Sequence, residues 1–422
     1  MNVLFVYPKP NQQKHIRYGF SLNVAYASSI LKQKGFSSYL IDLSVENVEL
    51  DEIVRFIKNK EIQVVFVEFD SFALNRSAND KNGIDVLRYI KAECPNVIKI
   101  AFGYECVLEK KNVEYADITL DNDLFLSMIN LEDVLKQSKK YTSKTYEFDS
   151  IPFPDRDLIE TVAYYKKNRD STLIQTSRGC LNNCTFCQRR GWQDRVQFHS
   201  DEYVYKEMSI IKNRGYKNIW IQDENFTFNL KRAKRILKRF IEHNVTNEMK
   251  IAISSWTKID KEFLELAALA NIKIISMGIE SANQDVLKYY KKEINLEEVK
   301  NIVSYADSLG IFTVGNFIIG APMEKLDMIN NTFSFIKDSG FDQVNIKTLD
   351  FMIGSRLYES LPRDKYPNSH YFCCIETGLG QLPLKELHTA KENFIAEYRT
   401  QFSSRLKKKI LRCGTPYDNV DI

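Results

Sequence analysis

Apolar residues come in short runs separated by amphipathic stretches along most of this chain. Val3-Leu4-Phe5-Val6, Tyr39-Leu40-Ile41, Val64-Val65-Phe66-Val67 and Ile98-Lys99-Ile100-Ala101-Phe102 have the length and the β-branched or aromatic content of buried strands. Between them, apolar spacing near 3.6 residues predicts helices at about 21–34, 49–59, 83–93 and 123–137. Buried strands alternating with helices imply right-handed crossovers and a parallel, doubly wound sheet. Ligands on such sheets lie beyond the carboxyl ends of the strands. That logic brings Tyr7 to Asn11, Phe69 to Phe72 and Gly103 to Cys106 to one rim.

The polar stretch Lys136 to Lys144 marks a boundary, and Ile151-Pro152-Phe153-Pro154 after it cannot be helix interior, so it reads as a linker. A second alternation follows. Strands are expected at 172–175, 217–222, 249–254, 272–277, 311–319 and 343–349, with helices near 201–214, 229–243, 260–270, 295–309 and 325–339. Gly215, Gly310 and Gly340 stand where helices should end before strands. Six such units suit a partial (β/α)6 barrel of the TIM type better than a flat sheet, and chemistry belongs at its carboxyl ends. Beyond residue 350 the prolines at 362, 367 and 383 loosen the pattern before a helix near 384–411. The expected fold is therefore α/β throughout: a Rossmann-like sheet over 1–145, a barrel over 146–350 and a short C-terminal cap over 351–422.

Composition narrows the function classes. Over 422 residues, 44% hydrophobic and 27% charged side chains exclude a fibre or a disordered polymer. A net charge of +4 permits anionic ligands without demanding nucleic acid or a membrane. The basic run Lys231 to Arg239 keeps Ala233, Ile236 and Leu237 at helical spacing and reads as a solvated helix face. No apolar run approaches a membrane span, and MNVLFVYPKP lacks the basic region of a signal peptide, so a cytoplasmic protein is expected.

The chain has 8 cysteines, too sparse for a disulfide scaffold. Three of them cluster. Arg178-Gly179-Cys180-Leu181-Asn182-Asn183-Cys184-Thr185-Phe186-Cys187 follows the first barrel strand directly. Three thiolates on one loop can hold three irons of a cubane cluster and leave the fourth iron open, as a catalytic site requires. The alternative is a zinc-stabilised binding protein that borrows a distant fourth ligand such as His199 or Cys373. Zinc prefers four ligands in two close pairs, and no second pair is present.

The triplet, with Phe186 just before its third cysteine, resembles the signature of radical S-adenosylmethionine enzymes, and the six-unit barrel resembles that superfamily's fold. The resemblance covers about residues 172 to 350. It implies a [4Fe–4S] cluster on Cys180, Cys184 and Cys187 that binds S-adenosylmethionine at its open iron. One electron from a flavodoxin- or ferredoxin-type donor then yields a 5′-deoxyadenosyl radical, which takes hydrogen from a substrate carbon. Matched position by position, Asp223 or Glu224 would receive the methionine amino group. Glu280 would bond the ribose or amino group, Ser254 the ribose, and Gly320 would let the backbone approach adenine. Asn225 or Thr227 are read as caps of the helix near 229.

The sheet ahead of the barrel resembles the cobalamin-binding branch of these enzymes. Tyr7, Pro8, Gly103 and Tyr104 would be its contacts, although the usual Gly-Gly appears here as Gly103-Tyr104. With cobalamin bound, the implied reaction is methylation of an unactivated carbon. Without it, the radical alone would serve epimerisation, rearrangement or crosslinking. Cys373 and Cys413 are candidate hydrogen donors, Cys373-Cys374 being alternatively buried structural thiols. The substrate is read as a small molecule or a peptide.

Overall fold

A computed structural model describes residues 1–9, 21–69, 77–109, 112–136, 147–167, 170–191, 195–352, 354–362, 364, 372–373 and 380–413. The chain divides into two compact units, Met1–Arg169 and Asp170–Ile422.

In the first unit, strands β1 (Asn2–Tyr7), β2 (Ser37–Asp42), β3 (Ile62–Glu68), β4 (Ile98–Phe102) and β5 (Ile118–Thr119) form one sheet in the order β2-β1-β3-β4-β5. All neighbours are parallel. The order reverses between β1 and β3, so Tyr7 and Glu68 end the two strands that flank the switch point. Alternation along each strand splits the core. Leu4, Val6, Val65, Val67 and Ala101 pack with Ile53, Ile57, Leu87 and Ile90 of the helices over 50–59 and 77–93. On the opposite face Phe5 stacks on Phe66 at 5.2 Å, with Phe102 edge-on to both. The proline-containing stretch expected as a linker is docked on the helix Leu22–Gln33. Ser28 Oγ donates to Asp155 Oδ2 at 2.6 Å, Ser29 Oγ to Phe153 O at 2.5 Å, and Asp155 N to Ala25 O at 3.0 Å.

In the second unit, β6 (Ser171–Ile174) leads into a two-stranded ribbon of β7 (Ser177–Arg178) and β8 (Gln197–Phe198). The strands β9 (Asn218–Ile221), β10 (Lys250–Ser255), β11 (Ile272–Glu280), β12 (Phe312–Ile319) and β13 (Gln343–Thr348) follow. They form a six-stranded parallel sheet in the order β13-β12-β11-β10-β9-β6. Stepping always in one direction with right-handed crossovers puts every helix on one face, which is barrel winding and not double winding. A final pair joins β14 (Phe351–Met352) to β15 (Phe372–Cys373).

Side-chain caps fix where the barrel helices begin. Ser200, Asn229, Asp260 and Asn295 accept from the backbone of the helices starting at 201, 230, 261 and 296. Gly215, Gly310 and Gly340 adopt positive φ of 81°, 74° and 76° where three of them end. The helix Leu384–Cys413 supplies Leu387, Phe394 and Tyr398 to the outer core, Phe394 stacking on Phe333 at 4.2 Å. This part of the region expected as a cap is thus the helix that follows β13 on the outer face. Among the described residues, no helix is long and apolar enough to cross a membrane.

Candidate active site

The β7–β8 ribbon closes the base of a loop, and the three clustered cysteines lie on its described part, residues 179–191. Cys180, Cys184 and Cys187 are free thiols of intermediate exposure. Burial pushes the Cys184 thiol up to about 12, partly offset by the positive charge of Lys292, and burial also raises Cys180.

Three sets of contacts hold this loop. At its base, Asp223 accepts from Thr176 N and Thr176 Oγ1, both at 2.6 Å, and from Ser177 N and Ser177 Oγ at 3.0 and 2.6 Å. Arg232 donates to Thr176 O at 2.7 Å, to His199 O at 2.8 Å and to Thr176 Oγ1 at 3.2 Å. Its guanidinium lies over the Phe198 ring, 5.0 Å from the centroid. One buried cation therefore ties the turn between β6 and β7 to the residue after β8, and one buried carboxylate ties that turn and the start of β7 to the end of β9. At the first cysteine, Glu224 accepts from Gly179 N at 3.0 Å and from Arg189 at 2.6 Å. Between the second and the third, Thr185 donates through N to Tyr290 O at 3.1 Å and through Oγ1 to Tyr289 O at 2.9 Å. Phe186 meets the Tyr290 ring edge-on at 5.1 Å. Leu357 N donates to Thr185 O at 3.0 Å, which joins the loop to the helix Arg356–Glu359.

Glu280 ends β11 with φ 71°, a left-handed conformation rare for a side-chain-bearing residue. Its carboxylate receives Lys292 Nζ at 2.5 Å, and that ammonium lies 5.1 Å from the Trp256 ring centroid. Residue 278 is glycine beside this pair: a Cβ there would stand 2.5 Å from Glu280 Oε1 and 2.8 Å from Lys292 Nζ, so the two side-chain ends would have to shift. Gly320 has φ 95° and donates its N–H to Glu324 Oε2 at 2.5 Å, and Ala321 N donates to the same oxygen at 3.1 Å. Burial raises the Glu324 carboxyl to about 7 against those two donors. Tyr290 Oη and Glu324 Oε1 are buried with no hydrogen-bond partner among the described residues.

The second unit therefore gathers the three cysteines, Phe186, Asp223, Glu224, Glu280 and Gly320 at the carboxyl ends of its strands. Asp223 spends its acceptor capacity on the loop base. Asn225 accepts from Thr227 Oγ1 and Trp256 N, and the helix cap is Asn229 instead. Ser254 is half-buried on the strand face opposite the outer helices, its neighbour Ser255 bonding Thr227 at 2.8 Å. Lys292 and Arg232 were not singled out by sequence. Arg232 was hidden in a basic helix, and Lys292 lies in the solvent-like run Lys291-Lys292-Glu293.

In the first unit, Gly103 and Tyr104 line a cleft with Asn23, Glu68, Phe102 and Asp123, whereas Tyr7 and Pro8 are buried beneath the rim. Asn11 and Phe72 on the expected rim, Cys374, and the side chains of Cys373 and Cys413 lie outside the described residues.

The family model of the radical SAM superfamily matches residues 174–336, the stretch that carries the cysteine loop and runs from the last residue of β6 through the strands β9 to β12. That stretch carries a radical SAM domain. Among the chain's relatives is the cytidylyl-2-hydroxyethylphosphonate methyltransferase of Streptomyces wedmorensis, 28% identical over 66% of this chain and 55% of that one. The chain thus spans little more than half the length of that relative. An uncharacterized methyltransferase of Pyrococcus horikoshii is 26% identical over 81% of this chain and 78% of its own. In fold, the chain resembles the cobalamin-dependent S-adenosylmethionine radical enzyme OxsB, solved with aqua-cobalamin and S-adenosylmethionine bound. The TM-score is 0.74 at 17% identity, covering 95% of this chain and 71% of that one.

Proposed function

We propose that the second unit holds a [4Fe–4S] cluster on Cys180, Cys184 and Cys187 and uses it with S-adenosylmethionine for radical methylation of an unactivated carbon. The observation that carries this reading is the braced three-thiol loop, with the buried Lys292 ammonium felt at Cys184. Among the described residues no group of three His, Cys, Asp or Glu side chains is gathered around a single metal ion. A cubane suits such a donor set, since each thiolate takes a different iron. A cluster there, with S-adenosylmethionine on its open iron, supplies a carbon-centred radical after one-electron reduction by a flavodoxin- or ferredoxin-type partner. The chain's own residues supply position. Asp223, Arg232 and Glu224 fix the loop, Lys292 offers a cation to the methionine carboxylate, and Glu280 offers an acceptor to the amino or ribose group. Gly320 brings the backbone close to adenine.

The methyltransferase relatives and the resemblance to OxsB support cobalamin as a second cofactor of the first unit. The cleft at the ends of β3 and β4, lined by Asn23, Tyr104 and Asp123, lies where a ligand of such a sheet would sit. Cobalamin would carry the methyl group. The substrate is a small molecule or a peptide, met in a reducing compartment that keeps the three thiols free.

Anaerobic reconstitution tests the reading. Near four irons and four sulfides per chain, reductive cleavage of S-adenosylmethionine, and loss of both on replacing any one of the three cysteines with alanine are expected. One zinc without cleavage would overturn it. Cobalamin absorption after purification decides methyl transfer, and its absence with cleavage intact leaves radical chemistry without methylation.

A further inference from the structure

The face of the second sheet turned away from the outer helices changes character with height. Low on it, Ala252, Ile274, Phe312 and Val314 form an apolar cluster. Toward the carboxyl ends the same face becomes polar. Asn316 Nδ2 donates to Ser276 Oγ at 2.8 Å and to Met277 O at 3.1 Å. With both N–H groups spent, its Oδ1 is fixed as an acceptor, and Asn345 Nδ2 donates to it at 3.0 Å. The Asn345 side chain is exposed, and this bond turns its own amide oxygen away from Asn316.

Lys347 stands two residues further along β13. Ile346 between them belongs to the outer core, so Asn345 and Lys347 share the inner face, about 7 Å apart along the strand. Lys347 is exposed and forms no salt bridge among the described residues, although its charge and that of Lys391 are felt at the Asp350 carboxyl. This wall offers one oriented acceptor and one cation at the end of the barrel where the cysteine loop lies. Its complement carries an N–H and an oxyanion within that span. One ammonium matches the single charge of a carboxylate, whereas a phosphate group carries nearly two charges and three strong acceptor oxygens.

We propose that Asn345 and Lys347 anchor the substrate, and that the substrate is peptide-like, setting a backbone N–H on Asn345 Oδ1 and a carboxylate on Lys347 Nζ. This rests on the reading of the second unit as the catalytic barrel. The test uses reconstituted full-length enzyme with three probes followed by saturation-transfer NMR: N-acetylglutamate, glutarate and inorganic phosphate. N-acetylglutamate should bind more tightly than glutarate. Lys347→Gln should weaken N-acetylglutamate about tenfold, the scale of one charge-assisted hydrogen bond. Asn345→Leu should reduce N-acetylglutamate to the level of glutarate. Both positions are exposed, and melting curves verify that the variants fold. Phosphate binding ahead of both carboxylates, equal binding by both variants and the parent, or no binding of any probe would each overturn the assignment. Cleavage of S-adenosylmethionine by the unmodified enzyme is followed on the same preparation. Its absence would sink the proposed function, whereas cleavage without probe binding would sink only the anchor.

Discussion

Lys292 Nζ lies 2.5 Å from Glu280 Oε1, with the two side chains only 3% and 9% exposed. A buried pair of this kind adds little net stability, yet removing one partner costs about 3–5 kcal/mol because the other charge is stranded. Lys292→Met should therefore destabilise the enzyme strongly, and Glu280→Gln added to it should restore most of the melting temperature. Binding of S-adenosylmethionine should not return with stability, since the cation for its carboxylate is still missing. A deficit of roughly ten- to hundredfold is expected by equilibrium dialysis. Full recovery of binding in the double variant would make the pair purely structural.

Arg232 and Asp223 lead to a second prediction. The guanidinium reaches Thr176 O and His199 O together, which a lysine ammonium on a flexible stem cannot reproduce with the same geometry. Arg232→Lys should speed amide hydrogen exchange across 176–199, leave the strands over 250–255 and 312–319 protected, and lower iron retention after reconstitution. Uniformly faster exchange throughout the unit would mean that Arg232 supports the whole core and has no particular hold on the cysteine loop.

The Tyr290 hydroxyl supports a third. It is buried and unpartnered among the described residues while its ring packs on Phe186. An unsatisfied buried hydroxyl costs free energy, so Tyr290→Phe should be neutral or stabilising by about 1 kcal/mol. Tyr290→Ala should cost about 3–5 kcal/mol through the cavity it opens under the loop. Denaturant midpoints measure both. If Tyr290→Phe instead weakens binding of S-adenosylmethionine at unchanged stability, the hydroxyl bonds the ligand.

Most of the strand and helix plan was legible because each element carries its own period and its own stop, as Gly215, Gly310 and Gly340 show. The cysteine triplet was legible because three soft donors within eight residues have few structural uses. Contacts between distant segments were not. Asp223 looked like a ligand residue, and only folding reveals that Thr176 and Ser177 occupy its oxygens. The two-residue ribbon β7–β8 is too short for any periodicity, and Ile118–Thr119 is too short to read as a fifth strand. Nothing in the sequence pairs Gly278 with Lys292, and only folding puts the ends of Glu280 and Lys292 in the space its missing side chain leaves.

Glu324 connects the site to pH. Its carboxyl is raised from 4.5 to about 7 by burial, although Gly320 N and Ala321 N both favour the anion. The native state thus holds the proton more tightly than the unfolded chain. The associated stability is fully present below about 4.5 and is lost as pH rises through about 7, an upper bound of about 3 kcal/mol. Glu324→Gln keeps an acceptor for the two backbone donors and carries no charge. It should remove this component of the pH dependence, so that urea midpoints of variant and parent agree near pH 5 and the variant is the more stable near pH 8. Parallel curves across that range would show that Glu324 ionises normally, and that a partner for Oε1 compensates its burial.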